Sequence, residues 1–315
     1  MPTIRLLTII LLVAAIFSSC QKGEEGWEPL RVVSEKTTVF ERPSSSSAVV
    51  AELPFGSEVL CSEKGLGNEV TKGWLQVKSG GHRGFMEKRG VAEEGLYEEI
   101  NRTFEEAGKA PIQATGETGK KVSLLLKPEI GAFVVELLRE PARAEVLERV
   151  VTTSGEKEKA RKQLWYRIRL ANGRAGFVLK RQLRLTPPPE LGAYTQVRTP
   201  VSWHSLGERV DPETGRRGSD YIVAYESFGS GAYTDFTRVE LYTFDPGTRQ
   251  YGTALAKSGL YGILPLKIAD AENGGKTIEI RQHPKGDRGK INVIRYSYPS
   301  PIKLLSEHTE EAPAR

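Results

Sequence analysis

The chain has 315 residues, enough for two or three domains, since a single hydrophobic core rarely grows past about 250–300 residues. Hydrophobic residues make up 38% and charged residues 27%, an ordinary balance for a folded chain, while 32 Gly and 18 Pro favour short strands and turns over long helices. The formal charge of +5 is mild, with Lys/Arg and Asp/Glu interspersed; it permits attraction to an anionic surface and argues against a nucleic-acid partner.

At the N-terminus Arg5 is the lone charge before the apolar run "LLTIILLVAAIF", and "SSC" ends that run at Cys20. A basic start, a short apolar stretch and small residues form a secretory signal over residues 1–19, too short for a comfortable membrane span. The cysteine at the break resembles the lipobox of bacterial lipoproteins, with Phe17 in place of the usual aliphatic residue and Ser19 in place of the usual Gly or Ala. The resemblance implies that Cys20 becomes the lipidated first residue, its acyl chains holding the protein to a membrane at about 0.8 kcal/mol per buried methylene. Gln21 and Lys22 lack the Asp that retains diderm lipoproteins in the inner membrane, so the same resemblance implies the outer membrane. The other reading is an ordinary signal peptide with a chance cysteine beside it. Residues 20–30 are polar and Gly-rich, as a tether would be. Cys61 is then the sole remaining cysteine; it has no intramolecular disulfide partner and reads as a small buried apolar residue.

Residues 31–92 alternate as short half-buried strands, at Val49, Ala51 and Leu53 and again at Val59 and Cys61. Residues 93–119 differ. Leu96, Ile100 and Phe104 fall at i, i+4 and i+8 between glutamates, which predicts one short amphipathic helix, followed by a linker. From residue 120 to 185 the strand pattern returns as a copy of the first. Pro43 matches Pro128, "AVVAEL" matches "AFVVELL", "SEVL" matches "AEVL", Trp74 matches Trp165, and Gly84-Phe85 matches Gly176-Phe177. Trp and Gly stand ten residues apart in the first copy and eleven in the second. A unit of this length is a duplicated domain. "TPPPELG" (residues 186–192) reads as a stiff Pro-rich spacer.

Both copies resemble bacterial SH3-like domains. The shared features are a hydrophobic-x-x-Pro turn ("VFERP", "LLLKP"), a Val-Val-x-x-Leu strand ("VVAEL", "VVELL"), a turn and hydrophobic strand, then Trp-x-x-Val/Ile, a tight turn and Gly-aromatic. Both copies end in Gly-Phe where the family has Gly-Trp, and the second has "REPAR" where the first has its Pro-Phe-Gly turn. The resemblance covers somewhat under half the chain. It implies two small β-barrels whose ligands, cell-wall peptides where known, lie in an aromatic-lined groove. Bottom-up, Gly before Phe lets a bent strand approach its neighbour without a Cβ clash, and a large aromatic fills a small barrel where strands converge. Trp74, Phe85, Trp165 and Phe177 therefore read mainly as structural, with ligand contact as the other reading. Tyr166, next to Trp165, should point to the opposite face and is a candidate contact. Lys157, Lys159, Arg161 and Lys162 make a basic loop suited to carboxylates or phosphates, or simply a solvated charged loop.

Residues 193–305 form a further β-rich domain, with the clearest hairpin at "RVELYTFDPGTRQYGTAL", turning at Asp245-Pro246-Gly247, and a second one at residues 276–298. It resembles no family. It has no cysteine nucleophile, its histidines His204 and His283 are scattered with His308 beyond it in the tail, and "SFGSGAY" lacks the spacing of a nucleophile elbow. Residues 306–315 read as a disordered tail. The expectation is a mainly β, non-catalytic envelope lipoprotein, without cofactor or metal, that binds peptidoglycan or another envelope protein; the alternative is a wall hydrolase with its catalytic domain in residues 193–305.

Overall fold

The computed structural model describes residues 26–63, 72–154, 161–195, 198–226, 234–272, 274–299 and 301–312. The signal segment, Cys20, the start of the tether, most of the basic 157–162 loop and "SFGSGAY" lie outside the described residues. The chain divides after Ile100 into two compact units. It is mainly β, as expected: two small β-domains in tandem, a helix between them in sequence, and a β-rich C-terminal domain.

The first unit holds strands β1 (Glu28–Val32), β2 (Lys36–Phe40), β3 (Val49–Pro54), β4 (Glu58–Ser62), β5 (Trp74–Ser79), β6 (His82–Glu87) and β7 (Val91–Ala92) in the sheet order β3-β2-β6-β5-β4-β1-β7. Val32, Val39, Val59, Cys61, Leu75, Val77, Met86 and Val91 from six of these strands share one buried core, so the sheet is curled on itself. The tether is shorter than expected, because Glu28, Pro29 and Leu30 already pair with Cys61, Leu60 and Val59. Helix α1 (Glu94–Lys109) follows; within this unit Ile100 is fully buried and Tyr97 packs on Phe55.

The second unit begins with a repetition. Strands β8 (Ala114–Thr118), β9 (Val122–Leu125), β10 (Val134–Leu138), β11 (Arg143–Ser154), β12 (Arg161–Leu170), β13 (Ala175–Leu179) and β14 (Leu183–Leu185) run in the order β10-β9-β13-β12-β11-β8-β14, the first sheet's order strand for strand. Even a bulge recurs: the register slips between Val39 and Phe40 against β3 and between Val134 and Glu136 against β9. The expected linker up to residue 119 contains β8, so the second copy starts six residues earlier than its apolar pattern indicates (114 against 120).

The C-terminal domain is an antiparallel meander in sequence order: β15 (Thr199–Val210), β16 (Arg217–Glu226), β17 (Phe236–Asp245), β18 (Gln250–Asp270), β19 (Lys276–Gln282), β20 (Lys290–Tyr298) and β21 (Lys303–Glu311). Both expected hairpins are present, and Asp245 is explained by its turn, where it accepts from the Gly247 amide (2.9 Å) and the Thr248 hydroxyl (2.7 Å). Long β18 pairs first with β17 and then with β19, and an apolar cluster from Val201 to Tyr298 forms the main core, with Ile263, Ile291 and Val293 in a smaller separate one. Two expectations are corrected here. Residues 306–311 are no disordered tail but the bulk of β21, paired to β20 from Lys290↔Glu311 to Ser297↔Lys303. The Pro-rich stretch is no free spacer either: Leu191 is fully buried, and Glu190 accepts from the Tyr221 hydroxyl at 2.6 Å.

Candidate functional site

The repeated Trp and Phe lie on the outer face of their sheets. Along β5, Leu75 and Val77 enter the core, so the two-residue period of a strand turns Trp74 and Gln76 away from it. The ladders extend this outer face: Gln76 stands opposite Phe85, Phe85 opposite Phe40, and Phe40 opposite Val49. Phe40 and Trp74 meet edge to face, ring centres 5.7 Å apart and planes at 76°, a favoured aromatic geometry. Phe40, Trp74 and Phe85 are half-buried and Val49 is 59% exposed, which makes an aromatic-apolar surface. The expectation that these aromatics fill the barrel is thereby corrected. The expectation for the glycine holds: a Cβ on Gly84 would lie 2.5 Å from the Phe40 carbonyl oxygen.

The second copy has the same geometry with a different outcome. Tyr166 holds the place of Leu75, on the side opposite Trp165 as expected, but that side is the interior; Tyr166 and Trp165 are each 1% exposed. Burial pushes the Tyr166 hydroxyl up to about 12, despite the nearby Arg149. Trp165 donates from Nε1 to Thr152 Oγ1 at 2.9 Å. On the outer face, Arg167 donates to the Thr103 carbonyl (3.2 Å) and Glu106 (3.3 Å), and Arg169 donates to the carbonyls of Ala107 (2.8 Å) and Gly108 (3.0 Å). A guanidinium on the last carbonyls of α1 satisfies groups that no helical amide reaches and complements the helix dipole. Phe104 and Ala107 pack with Leu147 and Ala175. The last two turns of α1 therefore lie across this face, next to half-buried Phe177. Of the five aromatics singled out by sequence, Trp74 and Phe85 share an accessible surface, whereas Trp165 and Tyr166 do not. Phe40 and Val49 complete that surface; only the strand register could have identified them.

Among the described residues, Cys61, Ser202, His204 and Asp235 are held in structural surroundings. Cys61 is 3% exposed, and burial pushes its thiol up to about 12, against thiolate formation. Ser202 Oγ lies 3.2 Å from His204 Nε2, but the serine is fully buried and donates to Gln113 Oε1 (3.2 Å), while burial lowers His204 to about 4. Asp235 accepts from the Leu264 amide (2.8 Å) and Arg149 (3.4 Å).

No family model matches the chain, and no curated protein matches it. Among solved structures it is similar to NlpC2 from Trichomonas vaginalis (12% identity, TM-score 0.18, covering 91% of this chain and 97% of the other) and to NlpC1 from Trichomonas vaginalis (11%, 0.19, 93% and 96%). At such TM-scores the likeness carries no argument about fold or function.

Proposed function

We propose that the chain is a non-catalytic lipoprotein of the bacterial cell envelope that binds cell-wall peptide or another envelope protein through the outer face of its first SH3-like domain. The observation behind this reading is the contrast between the two copies: the same sheet face is aromatic and half-exposed at Phe40, Trp74 and Phe85, and is covered by α1 in the second copy. Aromatic side chains on a fixed sheet supply large contact area at little cost in conformational entropy. The second copy then serves as scaffold. Cys20 would carry the acyl anchor, and the residues after it favour the outer membrane.

Sedimentation with insoluble peptidoglycan tests the binding. The chain from residue 21 should co-sediment, and Trp74→Ala should weaken retention about ten-fold, equivalent to roughly 1.4 kcal/mol. Retention of a purified envelope protein instead, with the same Trp74 dependence, supports the protein branch. Indifference of every ligand to Trp74→Ala overturns the assignment of the face, and release of soluble muropeptides overturns the non-catalytic reading. Cys20→Ala should abolish partitioning into a detergent phase; unchanged partitioning rules out the anchor.

A further inference from the structure

Register identifies equivalent positions in the two copies residue by residue. Trp74 faces Glu87 and Trp165 faces Leu179; Cys61 faces Val77 and Val146 faces Ile168. Leu75 and Lys88 of the first domain hold the places of Tyr166 and Lys180 of the second, and continuing the β4–β5 ladder one position past Ser62↔Gln76 sets Glu63 in the place of Arg149. Those three residues of the second domain form the seat of the C-terminal domain. Arg149 donates to the Thr234 carbonyl (2.7 Å), Asp235 (3.4 Å) and Glu226 (3.1 Å), and Lys180 reaches the other oxygen of Glu226 at 2.5 Å. The Tyr166 hydroxyl lies in the field of the same charges.

In the first domain this end of the sheet is a cleft of about 970 Å³ with Leu75 and Val91 in its wall and Glu28, Glu63, Glu93 and Lys88 around it. Glu63 and Lys88 form an ion pair across it. The charge has been inverted: where the second domain sets Arg149 and Lys180 for a carboxylate, the first sets three carboxylates against one ammonium. We propose that this cleft is a docking site for a basic segment of another protein, whose Lys or Arg takes Glu63 from Lys88 and whose apolar neighbours cover the half-buried Leu30 and Leu96 of its lining. The C-terminal domain of a second copy does not fit, because its Glu226 and Asp235 are already held by its own Arg149 and Lys180 and are the wrong charge for Glu28, Glu63 and Glu93. The cleft lies on the Leu75 side of β5 and the aromatic face on the Trp74 side, so the two sites are separate.

The test uses the full chain and a fluorescein-labelled octapeptide of alternating Lys and Val, with its Glu/Val counterpart as control. Fluorescence anisotropy should register binding of the Lys peptide and not of the Glu peptide. Glu63→Arg, which restores the residue of the second domain, should weaken the Lys peptide at least about ten-fold and bring up the Glu peptide, whereas Trp74→Ala should change neither. Reversing Glu98, Glu99 and Glu105 on α1 controls for bulk charge. If that triple change weakens the Lys peptide as much as Glu63→Arg does, or if Glu63→Arg leaves both affinities unchanged, the proposal fails. An unchanged circular-dichroism melting curve for Glu63→Arg keeps a folding defect from passing for a result.

Discussion

Gly84 and Gly176 are the sharpest single-residue constraints in the duplicated domains. In each copy a Cβ would lie 2.5 Å from a backbone oxygen of the neighbouring strand, Phe40 in one and Leu125 in the other, and would crowd the side chain before it, Val39 or Leu124. Backbone cannot give way as a flexible side chain can, so Gly84→Ala and Gly176→Ala should each cost about 1–3 kcal/mol, the usual range for overpacking, read as a lowered urea midpoint. An unchanged midpoint would mean that the strands part freely. The buried tyrosines give a second residue-scale prediction. Burial pushes Tyr166 and Tyr298 up to about 12, with Asp220 accepting from Tyr298, and pushes Tyr221 and Tyr242 higher still. A phenol favoured in its protonated form in the native state stabilises the fold fully below the ordinary phenol value near 10; that stability is lost as pH rises from there through about 12. Ultraviolet titration should show these tyrosines ionising late and together with the loss of circular dichroism, and ionisation near pH 10 with the fold intact would contradict their burial. The roles of Gly84 and Gly176 were legible in the sequence because a glycine inside an alternating strand, just before an aromatic, marks a close approach of two backbones. The face of Trp74 was not, since an alternating strand has two faces and Leu75 and Trp74 are both large and apolar.

Among elements, β11 and β21 mark what periodicity can and cannot reveal. The match of "SEVL" to "AEVL" is displaced by two residues in the structure, where Cys61 and not Val59 stands for Val146. Because a shift of two residues restores the same face, the apolar pattern alone tolerates the error. The β21 segment, "KLLSEHTEE", shows no buried alternation because it is an edge strand; seven of its nine residues are exposed and the ladder to β20 holds it. Propensity and burial are silent about such a strand, which is why it read as a tail. Removing residues 302–315 should therefore be costly: it leaves the edge of β20 unpaired, with Ile291, Val293 and Ile294 beneath it. The truncated chain should melt at lower temperature and self-associate in analytical ultracentrifugation. Full stability and a monomeric profile would show that β21 contributes nothing.

At the largest scale, the second β-domain and the C-terminal domain are joined by polar contacts that no motif in the sequence announces. Gln113, fully buried, makes both hydrogen bonds of a β-bridge with its side-chain amide: Oε1 accepts from the Leu266 amide (2.8 Å) and Nε2 donates to the Leu266 carbonyl (3.2 Å), while its own carbonyl accepts from the Trp203 amide (2.9 Å). Arg149, 4% exposed, closes the other side of the seat through Glu226, Asp235 and the Thr234 carbonyl. Each of these residues lies in a segment that reads as linker or ordinary strand, because a docking contact depends on residues more than eighty positions apart, Arg149 with Asp235. An ion pair taken out of water is stabilising only while both partners remain, since a lone buried carboxylate keeps the cost of desolvation without the attraction that offset it. Arg149→Ala should therefore cost about 3–5 kcal/mol, and Gln113→Ala about 1–3 kcal/mol for the unmet Leu266 groups. Loss of the seat should also expose residues 186–192 to limited proteolysis before the sheets themselves unfold. If Arg149→Ala instead leaves both the urea midpoint and the cleavage pattern of the native chain in place, the Arg149 contacts are incidental, and with them falls the use of the second domain as a template for the cleft of the first.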